Sequence, residues 1–143
     1  MGAARSARRV TKTGLAGYGP PRPPVRSRRF GLAIHFTDDE IKGLSPRLVS
    51  MLDAARDYAG VPFRITSGAR TPEENQAAQG VKNTAHMRGL AVDLACVDGR
   101  ERWHMLTALL KVGFTRLGIY NFHIHADCDV SLPAEVIWWG KSH

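Results

Sequence analysis

The chain has 143 residues, 43% of them hydrophobic, with a formal net charge of +7 and two cysteines. That length suits one domain with one core, and no apolar run approaches the roughly 20 residues that span a bilayer. The N-terminus has no apolar core of a secretory signal, and two cysteines are too few to assign a redox compartment.

Charge divides the chain. Residues 1–30 hold eight Lys or Arg and no Asp or Glu, while the remainder holds twelve basic and thirteen acidic residues. Gly19-Pro20-Pro21-Arg22-Pro23-Pro24 bars a helix or central strand there. Residues 1–30 therefore read as a disordered basic arm with attraction for anionic cell surfaces, and residues 31–143 as the domain. A domain without net positive charge argues against nucleic acid as a partner.

The domain opens on Thr37, a candidate cap with Glu40 three residues later. Ser45-Pro46 predicts a helix start with proline at the first position. Leu48, Met51, Leu52, Ala55 and Tyr58 give that helix one apolar face, and Gly60 stops it. Val61 to Thr66 reads as a strand and Pro72 to Ala78 as a short helix. Leu90 to Ala95 is a strand. Arg100 to Val112 is a helix with Trp103, Leu106 and Leu110 on one side, ended by Gly113. Thr115 to Tyr120, Phe122 to Asp127 and Glu135 to Trp139 read as strands. Short strands mixed with two longer helices, without internal repeats, indicate an α+β fold.

The chemistry lies in two stretches, His86-Met87-Arg88-Gly89-Leu90-Ala91-Val92-Asp93 and His123-Ile124-His125-Ala126-Asp127. Asp93 interrupts the apolar run Leu90 to Leu94, where a carboxylate is costly unless paired or bound to metal. His123, His125 and Asp127 share one face of a strand. A metal between neighbouring strands would collect Asp93 and His125, with His86 closing from the preceding loop. Two imidazoles and a carboxylate fill three corners of a zinc tetrahedron and leave the fourth for water, the arrangement of a catalytic site. The HExxH pattern, which puts its ligands on one helix, is absent from the sequence.

These stretches, with Ser67-Gly68-Ala69-Arg70-Thr71, Asn75, Gly80 to Ala85, Gly113-Phe114, Gly118-Ile119-Tyr120 and Trp138, resemble the zinc D-Ala-D-Ala carboxypeptidases and murein endopeptidases, including bacteriophage versions. The resemblance runs over about residues 36 to 140. It implies a compact α+β domain, with a small antiparallel sheet carrying one zinc and flanked by helices. It also implies hydrolysis of peptide bonds next to D-amino acids in peptidoglycan stem peptides, as an endopeptidase or a carboxypeptidase in phage lysis or entry. The ligands implied are His86, Asp93 and His125. Arg70 would hold a substrate carboxylate or the oxyanion, a role suited to its permanent charge and fork. The enzyme would act at the bacterial cell wall as a monomer.

Phe122 departs from the pattern, since several relatives carry an acid three residues before the last ligand. That leaves Asp127 as the first candidate for the base and His123 as the second. Asp127 has an alternative role, orienting a ligand imidazole. The missing acid also favours a competing reading, a non-catalytic wall-binding module that keeps the fold. Cys96 and Cys128 each follow a proposed ligand by three residues, so they fall on the opposite strand face; they are small buried groups, or a disulfide if their strands adjoin. Trp138 and Trp139 alternate, one packing into the core and the other walling the groove, where it could stack on glycan.

Overall fold

A computed structural model describes residues 35–78 and 84–141. The basic arm expected over residues 1–30, and residues 80–83 of the motif, lie outside the described residues. The first described turn closes as its sequence predicts. Glu40 Oε2 accepts from Thr37 N at 2.8 Å, and Thr37 Oγ1 accepts from Glu40 N at 3.3 Å.

Helix α1 spans Pro46–Ala59. Ser45 caps it by accepting from Leu48 N at 3.1 Å, and Gly60 ends it at φ 66°. Leu48, Leu52, Ala55 and Ala59 enter the core, with Met51 and Tyr58 packed at its margin. After strand β1 (Ile65–Ser67) and helix α2 (Pro72–Ala77), a 3-10 turn over Ala85–Arg88 leads into strand β2 (Ala91–Ala95). Helix α3 (Gly99–Lys111) follows, then strands β3 (Arg116–Ile119), β4 (His123–Asp127) and β5 (Val136–Trp139).

Two of these elements differ from their sequence prediction. β1 is shorter than Val61 to Thr66, because Pro62 offers no N–H to a ladder. Of the predicted α3 face Trp103, Leu106 and Leu110, only Leu106 packs against the core, at its margin. Met105, Ala108 and Leu109 are buried instead, while Trp103 is 61% and Leu110 51% exposed. The sequence offers two apolar stripes on this helix, and Arg102 selects between them. Its guanidinium donates to the carbonyls of Tyr120, Cys96 and Asn121 at 2.9–3.2 Å. Residues three and seven positions on, Met105 and Leu109, share that face and so meet the sheet.

The five strands form one sheet in the order β1-β2-β4-β3-β5. All neighbours are antiparallel except β5, which runs parallel to β3. The sheet is thus mixed rather than wholly antiparallel: residues 128–135 carry the chain from the end of β4 back beside the start of β3, where Val136 N bonds Thr115 O at 2.9 Å. Alternation sends Val92, Leu94, Leu117, Ile124 and Ala126 into the core with the helices. Asp93, Arg116, His123, His125 and Asp127 consequently share the other face.

β2 and β4 are adjacent, yet Cys96 and Cys128 do not pair. Cys96 N bonds Phe122 O and Cys128 N bonds Leu90 O, which puts the two thiols at opposite ends of the ladder, and both are free. No helix among the described residues is long and apolar enough to cross a membrane.

Gly89 joins the 3-10 turn to β2 at φ 69°, and a Cβ there would lie 2.3 Å from Gly43 O. Gly89→Ala should cost about 2–4 kcal/mol, from left-handed strain plus overpacking. Gly99, at the exposed start of α3, has nothing within 4 Å. Gly99→Ala should be neutral or stabilising by up to about 1 kcal/mol. Urea denaturation of both variants checks the contrast; equal effects would contradict this account of the turn.

Candidate metal centre

Asp93 and His125 sit directly opposite each other across the β2–β4 ladder. His86 reaches them from the 3-10 turn, which Thr84 caps by accepting from His86 N at 2.9 Å. Asp93 Oδ1 is 3.3 Å from His86 Nε2 and 3.2 Å from His125 Nδ1. One donor atom from each of the three residues lies within 4.8 Å of the others. The sequence-predicted ligand set is therefore assembled in space, largely buried.

The outer nitrogens show how the rings are protonated. His86 Nδ1 is 2.8 Å from Gly68 O, a carbonyl that can only accept. His125 Nε2 is 2.8 Å from the Asp127 carboxylate. Each ring thus carries a proton on its outer nitrogen. In the neutral rings the inner nitrogens present lone pairs, and both point at one carboxylate oxygen. Three electron-pair donors facing one another without a proton between them repel, and a cation relieves this. The donor set fits zinc, which takes imidazole nitrogen and carboxylate oxygen.

Charge shifts follow the same geometry. Burial pushes the Asp93 carboxyl up, but when the rings are protonated on their inner nitrogens as well, hydrogen bonds from His125 and His86 and their charges outweigh it and hold it well below the usual carboxylate range. Burial pushes His125 down, but the Asp127 and Asp93 carboxylates win and raise it. His123 is shifted down, chiefly by burial, against the pull of Asp93.

The other predicted residues cluster here with distinct surroundings. Arg70 Nη2 is 3.2 Å from Asp93 Oδ2, its Nε donates to Ser67 Oγ at 2.9 Å, and its Nη1 to Asn75 Oδ1 at 3.3 Å. Asp127 is buried with both oxygens engaged: Oδ2 by His125, Oδ1 by Arg116 Nε at 2.9 Å and Asp129 N at 3.2 Å. His123 stands at the rim, its Nε2 3.8 Å from Asp93 Oδ1 and its ring stacked on Tyr120 at 4.3 Å. Phe122 is 65% exposed.

Four features complete the surroundings, of which the sequence indicates only the last, a tryptophan walling the groove. Gly68 O is backbone, with no residue signature. Arg116 braces Asp127; a charged residue beside Leu117 and Ile119 in an apolar strand was its available signal. Tyr120 clamps His123 and accepts from Trp138 Nε1 at 3.3 Å. Trp138, not Trp139, borders the site, 5.3 Å from the His125 ring and over Gly118, where a Cβ would meet the indole at 2.7 Å. Trp139 is 83% exposed, so neither indole fills the core.

The pH dependence should invert with metal. In chelator-treated protein, the raised His125 contributes stability that is fully present below about pH 6.5, the unfolded imidazole value, and is lost as pH rises through its folded value. Asp93 contributes above about pH 3.9 and loses this only deep in acid. His123 opposes His125, because its lowered value favours the fold above about pH 6.5; it has one carboxylate neighbour against two and is the more exposed. Metal-free protein should therefore weaken as pH rises from about 6.5 through the raised His125 value, while zinc-loaded protein should strengthen, since zinc requires unprotonated imidazoles. Thermal denaturation across that range, with and without zinc, checks this; curves of the same slope would contradict it.

No curated protein sequence matches this chain. Among solved structures, it is similar to the L-Ala D-Glu endopeptidase ChiX of Serratia marcescens, at 16% identity and a TM-score of 0.54, covering 75% of this chain and 97% of that one. The likeness establishes a shared α+β fold. Residues 29–129 match the family model for peptidase M15. That span takes in the whole His86, Asp93 and His125 cluster, and the chain belongs to the peptidase M15 family.

Proposed function

We propose that this chain is a zinc-dependent peptidoglycan peptidase that hydrolyses peptide bonds next to D-amino acids in stem peptides. The observation that carries the reading is the convergence of His86 Nε2, His125 Nδ1 and Asp93, with the outer ring protons held by Gly68 O and Asp127. A zinc ion held by these three residues would supply Lewis acidity and activate a water near neutral pH.

The chain's own groups do the rest. Asp127 keeps His125 in the tautomer that turns Nδ1 inward, an orienting role rather than that of a base. Arg116 holds Asp127 in place through its Oδ1. Arg70 orients Asp93 through Oδ2, and its remaining N–H groups bind a substrate carboxylate or the charge developing on the scissile carbonyl oxygen. His123, shifted down by burial and standing at the rim, accepts a proton from the attacking water at Nε2 and returns it to the leaving amine. It takes the place of the acid that Phe122 lacks. Trp138 and Tyr120 wall the cleft on the β3–β5 side.

The fold shared with an endopeptidase favours cleavage within the stem peptide over removal of a terminal D-Ala. Phage lysis or entry is the proposed setting. Phe122 also supports a second reading, a wall-binding module without turnover.

Mass analysis of muropeptides released from purified sacculi distinguishes the two. The enzyme reading expects soluble fragments that vanish with chelator and return with zinc. Binding to sacculi without release, zinc present, would establish the module instead. Arg70→Ala should lower turnover by ~10²-fold, as for loss of an oxyanion partner. His123→Gln should lower turnover while zinc stays bound. Asp127→Asn should weaken zinc by ~10–100-fold. An Asp127→Asn protein with normal zinc affinity and no turnover would return the base role to Asp127.

A further inference from the structure

The three candidate ligands are not held equally well. Asp93 and His125 are opposite partners in a bonded ladder, so sheet register fixes their separation. His86 lies five residues before that ladder begins, on the 3-10 turn. The last backbone bond joining the two chain segments runs from Cys128 N to Leu90 O at 3.0 Å.

One ion pair lies just beyond this point. Arg88, the last residue of the turn, donates through Nε to Asp129 Oδ2 at 2.7 Å, and its Nη2 reaches the same oxygen. Asp129 is buried. Its other oxygen accepts from Ser131 N at 3.0 Å and Ser131 Oγ at 2.6 Å, so the carboxylate is fixed from both ends. Its own N–H donates to Asp127 Oδ1, and Asp127 Oδ2 accepts from His125 Nε2. A continuous chain of bonds thus leads from the turn that carries His86 to the ring of His125. An ion pair of this kind adds little net stability, because desolvation offsets its attraction; here it fixes geometry.

We propose that the Arg88–Asp129 pair is a positioning device that sets His86 relative to His125 and so tunes metal affinity without touching the metal. The inference rests on the metal-centre reading of the site. Arg88 acts through the turn and Asp129 through Asp127.

The test is zinc affinity by titration calorimetry, for which Arg88→Lys is the informative variant. It keeps a positive charge on buried Asp129 but loses the forked contact. Zinc should bind ~10–100-fold more weakly, the usual effect of losing a ligand's outer support. In a His86→Ala background the same substitution should cost clearly less, because only the path through Asp129 and Asp127 to His125 remains. Arg88→Lys binding zinc as tightly as the parent would overturn the proposal. So would an equal loss with and without His86, which would mean a general effect on the fold. A parent chain that takes up no zinc would instead sink the metal-centre reading itself.

Discussion

Two imidazoles aimed at one carboxylate oxygen, each with its proton committed outward, form the constraint on which the site depends. Gly68 O takes the proton of His86 and Asp127 that of His125. The inner nitrogens can then be lone pairs that repel Asp93, or protonated and charged. Either state is costly in a buried setting, and a cation removes the cost. The rest of the site follows from keeping those outer contacts intact. Arg116 and Asp129 N occupy one oxygen of Asp127 so that the other meets His125. Arg70 occupies Asp93 Oδ2 and leaves Oδ1 for the imidazoles.

The fold supports this by dividing the sheet. On one face Leu52, Met105 and Leu109 of helices α1 and α3 join Val92 and Ile124 of the sheet in the core, and the polar side chains of β2, β3 and β4 share the other. Glycines shape that face where backbone or rings must approach closely. Gly89 lets the 3-10 turn lie against Gly43, and Gly118 leaves room for Trp138 beside His125.

Much of this was legible in the sequence. Asp93 stood out because a carboxylate is costly among Leu90, Ala91, Val92 and Leu94. His123, His125 and Asp127 declared a common face by alternation. Ser45-Pro46 and Gly60 marked a helix whose caps need only local chemistry. What could not be read depended on partners distant in sequence. Periodicity offered α3 two apolar stripes, and Arg102, through carbonyls at the strand ends, decided between them. Alternation puts Asp127 on this face but does not show that both its oxygens are engaged. The carbonyl of Gly68 has no sequence signature. The cysteines flank adjacent strands, the condition for a disulfide, but antiparallel register sends them to opposite ends.

The central claim is that the outer protons fix which nitrogens face inward, and long-range proton–nitrogen NMR of the imidazoles tests it most directly. In zinc-loaded protein, the account predicts a proton on His86 Nδ1 and on His125 Nε2, with zinc shifting His86 Nε2 and His125 Nδ1. Opposite tautomers in the two rings are the signature. Protons found on the inner nitrogens in the presence of zinc, or ring resonances that zinc leaves unchanged, would contradict it.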